Sequence, residues 1–518
     1  MPDNAEARIV FKDIGTWKNK HLNVKSPVQG LFDVWNPTPS EGNNIERFRG
    51  TVAGIQGLIK LAKDESTTLR AYGGAWSLSD TAVTTGYMMN TKALNMRGKL
   101  NPESISSTYA GEAESLFVFQ CGVSVQEANT YLASRNRALK TTGASNGQSM
   151  AGAVSTGTHG AAFGFGSMQD YVVALHLITD EDRHVLVERS TYPVVSDDFI
   201  DRLGAERVSD DDIFNSALVG FGSFGVLHAM VVETIPLYLL RMYRFRHELD
   251  GTLRSVASTL DFSSLPMPRT EEPYCFQIAL NLNDIESGAY VTAMYKDPDG
   301  PYEPPVVNDE GYGPGDDLLA FIGQLGDLVP ALIPAALKAL VGAFYPTPPL
   351  GTEGEGKYFK EEGRPGEIFR STSVRGEGTS MEIGFPFDRA SEVIDVLLEA
   401  AASKGPVGGM VGIRYVKSSK GTLAFTNHTP ITCTVELQGV NSNRNLEVFE
   451  EIWSIMDAKD IPYTFHWGQV HNLDAARTRS AYGSTKVDRW IEARKALLGD
   501  DVRRVFNNDM IVRCGLDA

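Results

Sequence analysis

Residues 147–160 read GQSMAGAVSTGTHG, a run in which no side chain is bulkier than methionine, glutamine or the single histidine. Such a run lets the backbone approach a ligand closely and present N–H donors that larger side chains would obstruct. Glycines are dense from Gly143 to Gly166, which predicts a long loop lying close against something. The run therefore indicates a cradle for a large flat ligand.

Two more glycine-rich stretches flank this run. Residues 70–79 read RAYGGAWSLS, which predicts a strand entering a turn whose N–H groups and hydroxyls can wrap a pyrophosphate. Taken alone, a Gly-Gly turn most often only reverses the chain. Residues 214–226 read FNSALVGFGSFGV, where a helix end meets a glycine-spaced turn before a strand. The order helix then strand is the reverse of a dinucleotide-fold fingerprint, so a Rossmann site is not expected.

Periodicity predicts a mixed α/β half from about residue 51 to 235, with helices near 54–62 and 125–134. After Pro236, longer alternating strands such as 275–280 and 432–437 predict a second, sheet-based domain with helices near 390–402 and 446–456. Residues 297–317 and 346–366 are rich in proline, glycine and acid, and they bracket an apolar, helix-like segment at 318–344. This pattern predicts an insertion that either packs on the sheet or forms a lid.

Composition narrows the possible partners and compartments. With 65 acidic and 48 basic side chains the net charge is −17, which disfavours nucleic acid as a partner. The four cysteines are far apart and form no CxxC pair, so neither a metal site nor a disulfide framework is expected. The acidic N-terminus lacks a secretory pattern, and prolines and Asp327 interrupt the most apolar stretch. We expect a cytoplasmic protein without a membrane span, and the oligomeric state is left open.

The order and spacing of the three glycine stretches resemble the FAD-binding half of the vanillyl-alcohol oxidase and p-cresol methylhydroxylase flavoprotein family. The similarity covers roughly residues 36–238 and is greatest to the branch of sugar-lactone oxidases, alditol oxidase and covalent-flavin cholesterol oxidase. Residues 504–508, RVFNN, resemble the family's closing Arg-x-Phe-x-Asn motif, and residues 466–469, HWGQ, resemble its His-Trp-Gly-Lys motif. The resemblance thus reaches both halves of the chain.

The resemblance implies an α+β, two-domain flavoprotein with a split FAD-binding domain and an antiparallel-sheet substrate domain. The expected divisions are an FAD-binding domain at 1–238, a substrate domain at 239–460 with the insertion at about 297–366, and a segment at 461–518 that returns to the FAD domain. The FAD-binding residues that it implies are Arg70, Tyr72, Gly73, Gly74, Ala75, Trp76, Ser77, Ser79, Thr142, Gly143, Ser149, Gly152, Ala153, Ser155, Thr156, Gly157, His159, Gly160, Gly225, Val226 and Asn508.

Two departures from the family pattern concern the flavin link. Trp76 stands where relatives carry the histidine that bonds the 8α-methyl of FAD, and no cysteine lies between Cys121 and Cys275 to make the second link. We therefore expect non-covalent FAD.

Two further departures concern the substrate site. Relatives that resemble alditol oxidase have a Glu-x-Arg pair facing the flavin, whereas this chain keeps Arg414 but has Gly412 at the glutamate position, and Gln469 replaces the motif lysine. Without that glutamate, Arg414 is expected to be free to meet a substrate anion, although an ordinary salt bridge is the alternative. Alcohol oxidation needs a proton acceptor, for which Glu436 and Glu382 are candidates, unless they are solvent-facing carboxylates at a sheet edge. His466 is a further candidate because its neighbours match a motif.

The prediction is an FAD-dependent oxidase that removes hydride from an alcohol-type carbon and passes electrons to O2. Loss of the glutamate and lysine, together with the apolar insertion, favours a medium-sized, moderately apolar small-molecule substrate. Two alternatives remain open: a flavin-dependent oxidative cyclase or desaturase, and a flavin-binding protein without catalysis.

Overall fold

The computed structural model describes residues 5–304, 331, 333–370 and 377–518. The strands are β1 Arg8–Lys12, β2 Thr16–Lys18, β3 Lys25–Pro27, β4 Gly30–Trp35, β5 Leu69–Tyr72, β6 Tyr87–Ala93, β7 Arg97–Lys99, β8 Leu116–Gln120, β9 Arg137–Ala138, β10 Val172–Ile178, β11 His184–Glu188, β12 Glu206–Ser209, β13 Val226–Glu233, β14 Ile235–Pro236, β15 Tyr238–His247, β16 Cys275–Leu280, β17 Ala289–Pro298, β18 Phe359–Gly363, β19 Gly378–Pro386, β20 Gly409–Lys417, β21 Ile431–Val440 and β22 Thr464–Phe465. The helices are α1 Asn44–Asp64, α2 Val125–Ala133, α3 Met150–Thr156, α4 Asp197–Leu203, α5 Asp211–Leu218, α6 Gly251–Thr259, α7 Ile333–Phe344, α8 Pro365–Ile368, α9 Ala390–Lys404, α10 Asn443–Ala458, α11 Ala475–Tyr482, α12 Ser484–Leu497, α13 Asp500–Val505 and α14 Asp509–Arg513.

Two sheets are built from the first half of the chain. A four-stranded sheet has the order β1-β4-β6-β5, and a six-stranded sheet has the order β12-β11-β10-β13-β8-β7. Helix α1 begins where the Asn43 side chain accepts hydrogen bonds from the amides of Ile45 and Glu46. Its buried face carries Val52 and Ile59, among other apolar residues at helical spacing. These two sheets and their helices confirm the mixed character of this half.

The second half forms one eight-stranded antiparallel sheet with the order β18-β15-β17-β16-β20-β21-β19-β22. Strands β19, β20 and β21 lie inside it, so side chains on them are not at an edge. The sheet begins at Tyr238, and we propose the domain division at that residue on this basis.

The last segment returns to the first half. Helix α12 packs against α5, and the buried Arg494 donates to the carbonyl of Ser223 at 2.9 Å. At the other end of the segment, Arg513 forms an ion pair with Asp80 at 2.7 Å. Residues 464–465 of this segment also add the last strand to the eight-stranded sheet. The α+β, two-domain fold expected from the sequence is confirmed.

One expectation needs adjustment. The glycine-dense stretch from 143 to 166 is not one continuous loop, because residues 150–156 form the short helix α3, whose small side chains pack closely.

Within the predicted insertion, α7 packs Ile333, Leu337 and Val341 against the sheet, and β18 pairs with β15. Residues 305–330 and 332 lie outside the described residues, and with them most of the predicted apolar segment. No helix among the described residues is long and apolar enough to cross a membrane.

Candidate active site

One elongated cavity lies between the glycine-rich turns of the first half and the face of the eight-stranded sheet. Its first wall includes residues from the stretches 70–78, 143–159 and 221–227, and its second includes residues from 378–382, 414, 436–438 and 466–469. The three glycine stretches, which are far apart in sequence, therefore line one space together with the sheet.

Close backbone packing forms the first wall. A Cβ on Gly73 would overlap Ser149 Oγ, and one on Gly74 would lie 2.8 Å from the carbonyl oxygen of Gly147. Ala75 has a φ of 57° and Gly225 a φ of 99°, and a Cβ on Gly225 would lie 2.5 Å from the carbonyl oxygen of Ile178. These positions require glycine or a strained small residue, which brings backbone N–H groups up to the cavity.

Arg70 holds this wall together from beneath. Its guanidinium donates to the carbonyls of Thr81 at 2.6 Å, Gly222 at 3.1 Å and Phe506 at 2.9 Å, and also to that of Phe221. Burial lowers the pKa of Arg70 to about 10. Arg70 therefore borders the cavity while joining two of its turns to the C-terminal segment.

The His-Trp-Gly-Gln segment is tied to the first turn. The carbonyl of Trp467 accepts hydrogen bonds from the hydroxyls of Ser79 and Thr81 at 2.6 and 2.7 Å, and the amide of Leu78 donates to the carbonyl of Gly468 at 2.7 Å. The side chain of Asn508 donates to the carbonyls of Asp80, Thr81 and Val83. Asn508 thus fixes the turn after Ser79 instead of bordering the cavity.

An N-terminal hairpin closes the cavity beside Trp76. His21, between β2 and β3, lines the cavity, and its ring lies 5.5 Å from that of Trp76 in an edge-to-face contact. Burial, together with the charge of Lys20, lowers the pKa of His21 to about 4, so the ring is neutral at neutral pH. Sequence reasoning missed this residue because a lone histidine near the N-terminus carries no motif.

A cluster of charged side chains occupies the sheet side. Arg414 Nη1 lies 2.7 Å from Glu436 Oε2 and 3.6 Å from Glu382 Oε1. Glu382 Oε1 is also 2.8 Å from His159 Nε2, while His159 Nδ1 lies 2.7 Å from the carbonyl of Gly160. Both nitrogens of His159 therefore face hydrogen-bond acceptors, the carbonyl of Gly160 and the carboxylate of Glu382.

Neighbouring charged and ionisable side chains control the pKa of Glu382. Burial by itself would raise its pKa, but His159, His466 and Arg414 together outweigh burial and hold the pKa well below its usual value. Burial lowers the pKa of His466 to about 4, and its Nδ1 accepts from the amide of Gly468 at 3.0 Å. The neutral ring of His466 therefore carries its proton on Nε2.

The expectation that Arg414 is free was wrong. Gly412 lies directly opposite Glu436 in the register of β20 and β21, so the carboxylate missing from Arg414's own strand is supplied by the neighbouring strand. Ser380 and Gln469 lie 3.3 and 3.4 Å from the other oxygen of Glu436. Glu382 and Glu436 are not solvent-facing edge residues either, because both line the cavity from interior strands.

The cavity brings most of the predicted site residues together. Those that line it are Arg70, Tyr72, Gly73, Gly74, Ala75, Trp76, Ser77, Gly143, Ser149, Gly152, Ala153, Ser155, Thr156, His159, Gly225, Glu382, Arg414, Glu436, His466 and Gln469. Those outside its lining are Ser79, Thr142, Gly157, Gly160, Val226 and Asn508. Lining residues that the sequence did not single out include His21, Cys121, Thr379, Ser380 and Gln438.

Several buried polar atoms along the cavity lack a hydrogen-bond partner among the described residues. These atoms are His21 Nδ1, Trp76 Nε1, Gln148 Oε1, Thr379 Oγ1 and Gln469 Oε1. Because buried polar groups are almost always hydrogen-bonded, a polar ligand is expected to extend along this space. The glycine turns at one end and the charged cluster at the other fit FAD, whose diphosphate needs close backbone N–H groups and whose reactive ring needs a substrate beside it.

Comparisons with known proteins give the same cofactor. Residues 48–187 match a family model described as an FAD binding domain. The chain is 22% identical over 468 residues to L-gulono-1,4-lactone dehydrogenase of Mycobacterium tuberculosis, covering 88% of this chain and 92% of that protein. It is also 26% identical over 210 residues to D-arabinono-1,4-lactone oxidase of Debaryomyces hansenii, covering 40% of this chain and 34% of that protein.

Solved structures share the fold. Cholesterol oxidase from B. sterolicum superposes with a TM-score of 0.68 at 14% identity, covering 98% of this chain and 97% of that one. Xylooligosaccharide oxidase from Myceliophthora thermophila, in complex with xylobiose, gives a TM-score of 0.60 at 12% identity, with coverage of 95% and 93%. These likenesses confirm the resemblance drawn from the glycine motifs, including its lactone oxidase and cholesterol oxidase branches.

Proposed function

We propose that this FAD-dependent oxidoreductase, of the lactone oxidase and cholesterol oxidase kind, oxidises an alcohol-type carbon of a hydroxyl-rich small molecule. The observation that carries the proposal is the Arg414–Glu436 pair, which lies in the same cavity as the glycine turns. Bound FAD supplies a hydride acceptor.

The proposed roles separate the two carboxylates. Glu436 is the proton acceptor for the reacting hydroxyl, because Arg414 holds one of its oxygens while only long contacts from Ser380 and Gln469 reach the other. Glu382 is a poor base, since His159, His466 and Arg414 hold its pKa low. Arg414 orients the substrate oxygen and stabilises negative charge developing on it.

The polar lining changes the proposed substrate. The sequence favours a moderately apolar substrate because the family's glutamate and lysine are missing and the insertion is apolar. The first of these reasons no longer holds, because Glu436 places a carboxylate beside Arg414. Thr379, Ser380 and Gln438 add further hydrogen-bonding groups to this end of the cavity. Two relatives are named for sugar lactones, and we propose a sugar lactone or a related polyhydroxy compound for this chain.

We further propose that FAD is bound without a covalent link and that O2 accepts the electrons. Trp76 offers no nucleophile, and burial raises the pKa of Cys121 to about 12, which keeps this cavity-lining thiol protonated. Acid precipitation of the holoprotein is expected to release all of its flavin. A flavin adduct on a peptide containing His21 or Cys121 would contradict the proposal.

Anaerobic titration with a substrate panel tests the proposed reaction. L-gulono-1,4-lactone and related aldonolactones are expected to bleach the flavin absorbance, whereas cholesterol is not. Re-admission of air should restore the absorbance and produce hydrogen peroxide. Bleaching by the sterol but by no polyhydroxy compound would overturn the substrate assignment, and recovery only with an added dye would overturn the assignment of O2.

A further inference from the structure

A second cavity lies away from the flavin site and shares no lining residue with it. Its floor is one face of the six-stranded sheet, where Ala174, His176, Ala229, Val231 and Gln120 are register neighbours on β10, β13 and β8. The walls are the first turns of α1, helix α4 and the segment around β7. Its volume of about 430 Å³ falls within the range of small-molecule sites, about 300–1,000 Å³.

The floor and walls of this cavity offer a ligand a mainly apolar surface. Phe48, Phe199 and Leu203 form walls above the alanines of the floor, and all three are buried. The polar floor groups are already satisfied, because Gln120 bonds with Asn36 and the amide of Met96, and His176 bonds with His184 and His228. The floor therefore offers a ligand no side chain that still needs a hydrogen-bond partner. Binding is favoured when the part of the ligand that lies on the floor is apolar.

The charged residues of the lining all have one sign. Arg47, Arg97, Lys99 and Arg202 line the cavity, and no aspartate or glutamate of the described residues does so, although the whole chain carries 65 acidic against 48 basic side chains. Such a positive cluster on an acidic protein is complementary to an anion.

The partners of these cations are exposed and leave them available. Lys99, Arg97 and Arg202 pair with Glu114, Glu127 and Asp198, whose side chains are 74%, 39% and 65% exposed. Exposed ion pairs of this kind contribute about 0–1 kcal/mol each. Among the described residues, the Arg47 side chain hydrogen-bonds only to the carbonyl of Pro37 and to Asn44.

We propose that this cavity binds an amphipathic organic anion, specifically a medium-chain carboxylate. Its apolar chain lies on the sheet face between α1 and α4, and its carboxylate meets the four cations. This second ligand site is independent of the substrate assigned to the flavin cavity.

Three small-molecule probes separate the contribution of the negative charge to binding from that of the apolar chain. Decanoate has both, decyltrimethylammonium has the chain with the opposite charge, and acetate has the charge without the chain. Calorimetry on the FAD-loaded protein is expected to show one site for decanoate, with a rise in Tm, and at least tenfold weaker binding of the other two. Equal binding of decanoate and decyltrimethylammonium, or no binding of decanoate, would overturn the proposal.

Variants locate the site. Ala174→Met fills part of the cavity from its floor. The double change Arg97→Gln with Lys99→Gln removes half of the positive charge of the cavity lining. Each change should weaken decanoate binding at least tenfold. Lys459→Gln, which removes an exposed cation paired with Glu399 elsewhere, is the matched control and should bind as wild type. The double change keeps the test valid if Ala174→Met fails to fold, and the flavin spectrum reports folding in every case. Binding unchanged in the double variant would exclude this cavity as the site.

Discussion

Gly412 and Glu436 face each other across neighbouring antiparallel strands, and Glu436 Oε2 lies 2.7 Å from the guanidinium of Arg414. Because Gly412 has no side chain, the guanidinium of Arg414 lies over it, within 3.3–3.4 Å of where a Cβ would be. The carboxylate partner of Arg414 thus comes from the adjacent strand and not from its own.

Replacing Arg414 tests its role in the reaction. Arg414→Ala is expected to slow flavin reduction about a hundredfold, or about 3 kcal/mol, because a donor to the developing oxyanion is lost. Arg414→Lys should recover little, since an ammonium cannot reproduce the planar fork. Arg414→Ala should also lower Tm, because Glu436 and Glu382 lose their shared cation, whereas Arg414→Lys keeps a positive charge beside them and should lower Tm less. Stopped-flow reduction within about threefold of wild type, with only Tm lowered, would leave Arg414 a purely structural role.

The two carboxylates should differ on substitution. Glu436→Gln removes the proposed proton acceptor and should slow flavin reduction by about 10²–10⁴-fold. Glu382→Gln can still accept from His159 and should stay within about tenfold of wild type while lowering Tm, since the amide no longer offsets the charge on Arg414. Single-turnover rates for both variants, measured at full FAD loading, provide the comparison. The reverse order of rates would assign the proton transfer to Glu382.

The sequence predicted the cradle better than the chemistry. Glycines at 73, 74 and 225 mark positions where the backbone must pack closely or take a positive φ, and such constraints are visible in one sequence. Strand pairing is not visible in the same way, so nothing local to Arg414 indicated that Glu436 would be its partner. Asn508 matched a motif that implies a flavin-side role, and the structure adds that its amide holds the turn at 80–83; its contact with FAD stays a prediction.

FAD binding should depend on the close approach at Gly73. In Gly73→Ala the new Cβ would overlap Ser149 Oγ, so the turn must shift, and the rise in Tm on adding FAD should shrink. Gly57→Ala is the control, because Gly57 is exposed on α1 with no atom within 4 Å of a Cβ. This control should gain about 0.5–1 kcal/mol from helix propensity and keep the full FAD response. An unchanged FAD response in Gly73→Ala would argue against the proposed contact.

Mild acid should destabilise the protein through its buried histidines. Burial lowers the pKa of His21, His428, His466 and His471 to about 4, against about 6.5 when unfolded. Their neutral forms contribute stability that is full above about pH 6.5 and is lost as pH falls toward 4, by up to about 1.4 kcal/mol per histidine per pH unit. Glu382, with a lowered carboxyl pKa, adds its own loss only at lower pH.

Tm should therefore fall steeply between pH 6.5 and 5 at saturating FAD. His428→Gln keeps a side-chain donor for the carbonyl of Gly384 but cannot titrate. The Tm of this variant should therefore fall less steeply with pH, by the contribution of one histidine. A Tm that is flat over this interval would contradict the burial of these rings.

Gly412→Ala gives the sharpest test of the carboxylate on the adjacent strand. The added methyl would lie 3.3 Å from Nη2 and 3.4 Å from Cζ of Arg414, which is closer than most real Cβ contacts, so the guanidinium must move by a few tenths of an ångström. Such a shift lengthens the 2.7 Å contact with Glu436 without removing any charge. Because pre-organised groups lose much of their effect when displaced, we expect flavin reduction to slow about tenfold while Tm changes little.

Gly57→Ala again serves as the control for a glycine substitution in open space, and it should leave the rate unchanged. Equal rates in Gly412→Ala and wild type would mean that the position of Arg414 over Gly412 does not matter for the reaction, and the Arg414–Glu436 pair would then lose its place at the centre of the proposed mechanism.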